Sequence, residues 1–383
     1  MNWEDEIVDA AASDTGMRRG NNQDSYAVVR ASSREAWSTR GHLFMVADGM
    51  GAHAAGELAS KMACDNIPHN YRKFKTGLPT ESLIKTYNEV GAQIHAKATA
   101  NRDFQGMGTT CSTLVLLPAG AVIAHVGDSR VYRIRENRID QLSFDHSLVW
   151  ELIKRQHITP EQASKSVPRN VITRSLGPDP TVEVDIEGPL EVHMGDVFLI
   201  CSDGLSGPVS NSEIGAIAGN FHPEKACHYL IQLANLRGGQ DNITSVICRV
   251  GPWIEPGTEP APSEGDAKKK GSRGSLFSGL LGSLKNRNAP PPVEEHVYQT
   301  QSCVIDLPLL GRLADILRNA QANGVDQAWK TDWAELAAFR RKAEEHRKAG
   351  DLRLALGSLC DAIEILGLAA RESRHDHGSD ETM

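Results

Sequence analysis

The chain has 383 residues, with 41 Lys and Arg against 49 Asp and Glu and a formal net charge of -8, so it is long enough for more than one domain and too acidic for non-specific nucleic-acid binding. Seven scattered cysteines with no Cys-x-x-Cys pair fit reduced thiols in the cytosol and argue against a disulfide framework or a zinc site. The first residues, MNWEDEIVDAAASD, lack the charged and apolar pattern of a signal peptide, and the longest uncharged apolar stretch, GSLFSGLLGSL, is too short to span a bilayer.

In chain order, an unusual polar string, SDTGMRRGNNQDSY, precedes the run HLFMVADGMGAH, which reads as a buried strand with Asp48 at its exit. Next, Ala55, Leu58, Ala59, Met62 and Ala63 fall on one helical face, as do Leu83, Ile84, Tyr87, Ile94 and Ala98 behind the cap candidate Thr80. Thr109 to Leu142 reads as a strand meander, turning at Pro118, Ala119 and Gly120 and again at Glu136 and Asn137. Within it, VIAHVGDSRVY carries Asp128 at a strand exit. VFLICSDGL does the same for Asp203, and GGQDNITSVICRV sets Asp241 just before a strand. Each Asp-Gly or Asp-Ser pair alone reads as a turn. Taken together, strand ends that meet in space would crowd carboxylates into one pocket, and such charges cannot all stay ionised without a cation. Oxygen ligands alone suit a hard divalent ion such as Mg2+ or Mn2+.

The ordered series SDTGMRRGNNQDS, VADGMGAHAAGE, MGTT, VGDSRVY, FDHSLVWELIKRQHITPEQA, RNVITRSLG, LICSDGL and GGQDNIT, from Ala12 to Val250, resembles bacterial PPM-type (type 2C) metal-dependent serine/threonine protein phosphatases. The resemblance implies an α+β fold, a four-layer αββα sandwich of two antiparallel sheets flanked by helices, over residues 1–251. It also implies two tightly bound Mn2+ or Mg2+ ions and a third, weaker one. Asp48 matches the carboxylate that bridges two ions, and the Gly49 carbonyl a ligand of the second. Asp203 and Asp241 match the remaining protein ligands of the first, and Asp128 with Asp203 the third site. Asp24 matches the carboxylate that hydrogen-bonds metal-bound water. Arg19 matches the arginine that holds the substrate phosphate, a task suited to a guanidinium fork, with Arg18 as the adjacent alternative. His53 is the counterpart of the histidine that protonates the leaving group, set against a role in orienting the helix start.

Some positions depart from the family pattern. Gln23 stands where a glutamate is common, Met50 follows Asp48-Gly49 where eukaryotic relatives carry a histidine, and Ser166 and Val167 precede Pro168 and Arg169 where a His-Pro pair is usual. His146 and the pair Arg174 and Ser175 read as shaping the flap. Cys201, inside an apolar strand, reads as core rather than nucleophile.

Composition divides the rest of the chain. Residues 252–296 are rich in Pro, Gly, Ser and Lys, including Lys268, Lys269 and Lys270, and read as a flexible linker. Residues 297–373 regain helical periodicity and read as a small all-α domain. In it Phe339, Ala343, Gly350, Asp351, Ala355, Leu359 and Ala362 resemble one tetratricopeptide-type hairpin, with Trp329, Trp333 and Leu336 extending its apolar face. Residues 374–383 read as a disordered tail. On this reading the two folded parts are independently stable, and the helices dock a protein partner. The activity expected is hydrolysis of phosphoserine and phosphothreonine on proteins, opposing a Ser/Thr protein kinase in the cytoplasm. A catalytically weak phosphoprotein-binding adapter is the alternative from another class, and small phosphate esters are alternative substrates.

Overall fold

In the computed structural model, described for residues 7–52, 54–74, 76–154, 171–253 and 298–378, the apolar runs pair into two antiparallel sheets. One contains β1 (Ile7–Asp14), β7 (Arg130–Arg135), β8 (Arg138–Gln141), β10 (Val197–Cys201), β11 (Ile243–Val250) and β12 (Gln299–Ser302), in the order β1-β11-β10-β7-β8-β12. The other contains β2 (Asp24–Val29), β3 (His42–Met50), β5 (Cys111–Leu117), β6 (Gly120–Val126) and β9 (Asp185–Leu190), in the order β2-β3-β5-β6-β9, with β4 (Gly108–Thr109) paired to β3. Strand alternation sends successive side chains to opposite faces. Met45 and Val115 of the second sheet meet Ala59, Ile67, Leu83 and Tyr87 of α2 (Ala55–Lys73) and α3 (Pro79–Ala100). Leu199 and Ile247 of the first meet Ile214 and Leu230 of α6 (Asn211–Asn220) and α7 (Pro223–Leu236). The alternate residues Phe44, Val46, Phe198, Ile200 and Val246 are buried on the opposite faces, between the sheets. This is the four-layer sandwich that the resemblance implied. Smaller helices α1 (Arg34–Arg40), α4 (Leu148–Lys154) and α5 (Asp203–Ser206) fill the connections.

Two local expectations are corrected. Thr80 does not cap α3: Leu78 stands at the N-cap and Pro79 is the first helical residue, where its missing N–H removes a donor that the helix could not satisfy internally. Ile84 is exposed, because the buried stripe runs through Leu83, Tyr87, Val90 and Ile94.

The C-terminal part departs more from the expected division. It contains β12, α8 (Leu307–Asp326), α9 (Trp333–Ala349) and α10 (Leu352–Gly378), and it falls in one compact unit with the sandwich. Gln299 to Ser302 pair with β8 as an edge strand. Leu309, Leu313, Leu359, Ile363 and Leu366 share one apolar core with Ile214, Leu230 and Leu233. Periodicity showed that these helices have an apolar face; it carried no information about which surface covers it. The hairpin between α9 and α10 is present, closed by Gly350 in the left-handed region (φ 83°) and by Asp351, whose carboxylate accepts the Leu354 N–H at 3.0 Å. Helix α10 also continues past the expected boundary at 373 to Gly378. Most of the expected linker, including Lys268–Lys270 and GSLFSGLLGSL, lies outside the described residues.

Candidate metal centre and active site

Five aspartates meet at one end of the sandwich because each sits near a strand's beginning or end. Asp24 opens β2 and lies directly across from Asp48 near the end of β3. Asp128 lies in the connection that carries the chain from β6 in one sheet to β7 in the other, Asp203 follows β10, and Asp241 precedes β11. The Asp48 backbone is pinned by three hydrogen bonds: its N–H donates to the Thr110 hydroxyl at 2.9 Å, and its carbonyl accepts the Thr109 hydroxyl and the Thr110 N–H, each at 2.9 Å. The next residue must be glycine for a reason that the sequence did not show. A Cβ on Gly49 would stand 2.1 Å from the Gly56 carbonyl oxygen, so the strand end and the first turn of α2 approach backbone to backbone.

The electrostatics follow from burial. Asp48 is held well above the usual carboxylate range by burial first, then by the charges of Asp24, Asp203, Asp128 and Asp241. Asp203, within hydrogen-bonding reach of Asp48, is raised by burial and by Asp241. Asp128 is pushed up to about 7, again by burial first and then by Asp203 and Asp145. Asp24 is pushed up to about 7 by burial, although the hydroxyls of Ser202 and Thr244 each donate to its Oδ2 at 2.7 Å and oppose the shift. Among the described residues, Oδ1 of Asp24, of Asp128 and of Asp203 is buried with no hydrogen-bond donor. Buried anionic oxygens left in this state are strongly unfavourable, and a divalent cation is the partner that their chemistry fits. No three His, Cys, Asp or Glu side chains among the described residues close into an all-protein ligand shell.

Arg19 lies at this pocket, half-exposed, with its Nη2 donating to Asp241 Oδ2 at 2.8 Å. It thus pairs with one of the aspartates. Its guanidinium remains within reach of solvent and of an incoming anion. His53, and the flap residues Ser166, Val167, Pro168 and Arg169, lie outside the described residues.

Three contributions escaped the sequence reading, the last of them made by His146 and Arg174, which read only as shaping the flap. Ser202 and Thr244, which fall within the motifs LICSDGL and GGQDNIT, have the hydroxyls that hold Asp24, a role that their local sequence does not disclose. Asn242, the neighbour of Asp241, accepts the Gln23 N–H at 2.8 Å and donates to the carbonyls of Thr15 and Asn21 at 3.0 and 2.9 Å, so it staples the loop bearing Arg19 to the start of β11. The third is a chain of contacts behind Asp128. Asp185 Oδ2 lies 2.9 Å from His146 Nε2, and Arg174 donates to the other Asp185 oxygen at 2.8 Å. This fixes the proton of His146 on Nε2 and leaves Nδ1 to accept the Gly127 N–H at 3.1 Å. His146 therefore supports the turn that presents Asp128. Cys201 is fully buried, its thiol pushed up to about 12 by burial, which matches core rather than nucleophile.

Comparison with known proteins agrees with this geometry. Residues 17–235 match the protein phosphatase 2C family. The protein phosphatase PhpP of Streptococcus pneumoniae is 36% identical over 238 residues, covering 60% of this chain and 92% of that protein. The solved serine/threonine phosphatase of S. agalactiae superposes with a TM-score of 0.58 at 32% identity, over 64% of this chain and 99% of that one. The catalytic domain of the phosphatase PstP, solved with two manganese ions, does so with a TM-score of 0.55 at 32% identity, over 64% of this chain and 99% of that one. The family match ends before β12 and the three C-terminal helices.

Proposed function

Since the chain belongs to the protein phosphatase 2C family and is a serine/threonine protein phosphatase, we propose that it hydrolyses phosphoserine and phosphothreonine by direct attack of water, dependent on Mn2+ or Mg2+, and opposes a Ser/Thr protein kinase. The observation that carries this reading is the set of buried, donor-free oxygens on Asp24, Asp128 and Asp203 around Asp48. Asp48, the Gly49 carbonyl, Asp203 and Asp241 would hold the two tighter ions, and Asp128 with Asp203 a weaker third. When bound, the ions supply Lewis acidity and a nucleophile generated from water near neutral pH. The residues of this chain do the rest. Arg19 orients the phosphoryl oxygens with its planar fork. Asp24, held by Ser202 and Thr244, keeps a fixed acceptor beside the attacking water. Thr109 and Thr110 lock the Asp48 backbone so that its carboxylate does not reorganise during the reaction. His53 is the proposed proton donor to the leaving serine or threonine oxygen. No cysteine is needed as a nucleophile, and no phosphoenzyme is required.

The direct test is release of phosphate from phosphoserine and phosphothreonine peptides with and without added Mn2+ or Mg2+. Activity that depends on the ion and stops with a chelator is expected; full turnover of metal-stripped protein would overturn the reading. Phosphoproteomes of cells with and without the active protein test the opposition to a kinase.

A further inference from the structure

We propose that Arg371 and Arg374, in the last turns of α10, are positioning residues for the phosphate-binding loop, so that the C-terminal helices set the substrate affinity of the active site. The inference rests on the reading of Arg19 as the phosphate ligand. The loop in question joins β1 to β2. Its first anchor is Asp14, buried at the end of β1, whose Oδ1 accepts the Gly16 N–H at 2.8 Å and whose other oxygen is ion-paired with Arg371. Arg374 then reaches two carbonyls of the same loop, donating from Nη1 to Gly16 at 2.6 Å and from Nη2 to Arg19 itself at 2.7 Å.

Several features argue that these contacts position the loop rather than hold the helix. The apolar residues that fasten α10 to the sandwich end at Ala370, so the two arginines lie just beyond the part that needs packing. Arg374 makes no carboxylate contact among the described residues; its guanidinium serves backbone acceptors on either side of Met17 and Arg18. The loop has no room to settle elsewhere on its inner side, since Gly16 adopts φ +76° and a Cβ there would stand 2.1 Å from the Asp241 carbonyl oxygen. Asn242 and the carbonyl of Gly239, which accepts the Met17 N–H at 2.6 Å, hold that inner side, and the arginines of α10 hold the outer side. An arginine on a loop fixed from both sides loses little further freedom when it takes a phosphate, which is how preorganisation raises affinity. The helix that supplies the outer clamp lies outside the residues matching the family, so the device belongs to this chain's own extension.

The test uses the full chain in four forms: wild type, R374A, R374K and R19A, with R371A/R374A as a fifth. Each is assayed for KM and kcat on an aryl phosphate and for inhibition by inorganic phosphate. Mn2+ affinity is measured by calorimetry, and melting temperature is recorded. R374A should raise KM and the phosphate inhibition constant together, by about five- to tenfold, with kcat changed by less than about twofold. Mn2+ affinity should not move. R374K, which keeps charged donors, should recover most of the loss, and R371A/R374A should exceed R374A. Unchanged KM and phosphate inhibition in R374A, where R19A raises both, would overturn the inference and leave the Arg19 reading intact. Unchanged values in R19A itself would overturn the Arg19 reading and the inference with it. A fall in kcat that tracks a lowered melting temperature, at constant KM, would reduce the contacts to a structural role and also overturn it. If the double variant does not fold, the R374A and R374K pair decides alone.

Discussion

The Tyr229 hydroxyl of α7 donates to the Asp361 carboxylate of α10 at 2.6 Å, joining a helix inside the family match to one beyond it. Around this bond, Leu230 and Leu233 share a core with Leu359, Ile363 and Leu366. A fragment ending near Gly251 would therefore expose the outer face of α7 and leave β8 as an open edge, a surface prone to association. Such a fragment is expected to be destabilised by several kcal/mol, since burial of each large aliphatic side chain contributes about 1.5–3 kcal/mol, and to aggregate on mild heating. Thermal melting and light scattering of the fragment beside the full chain check this. A fragment that melts like the full chain would restore the picture of independent domains.

Removing a charge from the centre should separate activity from stability. Asp48→Asn deletes the carboxylate whose protonation burial and four neighbouring aspartates favour. Turnover is expected to fall by about 10²-fold or more. The metal-free protein should gain on the order of 1 kcal/mol, as like-charge repulsion is relieved. Assays with Mn2+, and melts in chelator, report the two effects independently. Near-normal turnover would move the bridging role away from Asp48.

The raised carboxylates give metal-free protein a distinctive pH response. Asp24 and Asp128 are pushed up to about 7, against about 3.9 in an unfolded chain. Between those values the unfolded state has released its protons while the folded state keeps them, so stability falls as pH rises. The contribution is fully present below pH about 4 and is lost through pH about 7. Melting temperature in chelator should decline between pH 5 and 7.5 on the order of several degrees, and added Mn2+ should flatten the curve. A rising curve in chelator would contradict the burial of these groups in protonated form.

The centre was legible in the sequence to the extent that it depends on strand ends. Asp48, Asp128, Asp203 and Asp241 each border an apolar run, and two sheets packed face to face bring such ends together. Ser202, Thr244 and Asn242 were not legible, because a hydroxyl or amide becomes a ligand holder only when distant strands set it against Asp24 or the Arg19 loop. The C-terminal helices show the same limit at larger scale. Their periodicity disclosed an apolar stripe through Leu359 and Ala362, but the partner surface, α7, lies more than a hundred residues away in sequence. Arg371 reads as the end of the helical domain and Arg374 as the start of a disordered tail, and only the fold places them against Asp14 and the Arg19 carbonyl.

The contacts behind Asp128 lead to the last prediction. Asp185 accepts hydrogen bonds from His146 and from the charged Arg174, which bring it down to about 2 although burial works to raise it. Ionised across the pH range of an assay, it fixes the Nε2 proton of His146 and so keeps Nδ1 as acceptor for the Gly127 N–H. In Asp185→Asn the amide can donate to Nε2, moving the ring proton to Nδ1, where it opposes the Gly127 N–H. The turn before Asp128 then loses its support, a disturbance of about 1–3 kcal/mol at a buried site. Asp128 is the proposed ligand of the weakest ion, so the expected result is a shift of the Mn2+ activation curve to higher concentration, by about fivefold or more. Calorimetry should show the two tighter sites unchanged. His146→Ala should give the same shift by removing the acceptor outright. An activation curve that does not move in either variant would show that the Asp185 and His146 pair holds the flap region alone and leaves Asp128 to position itself.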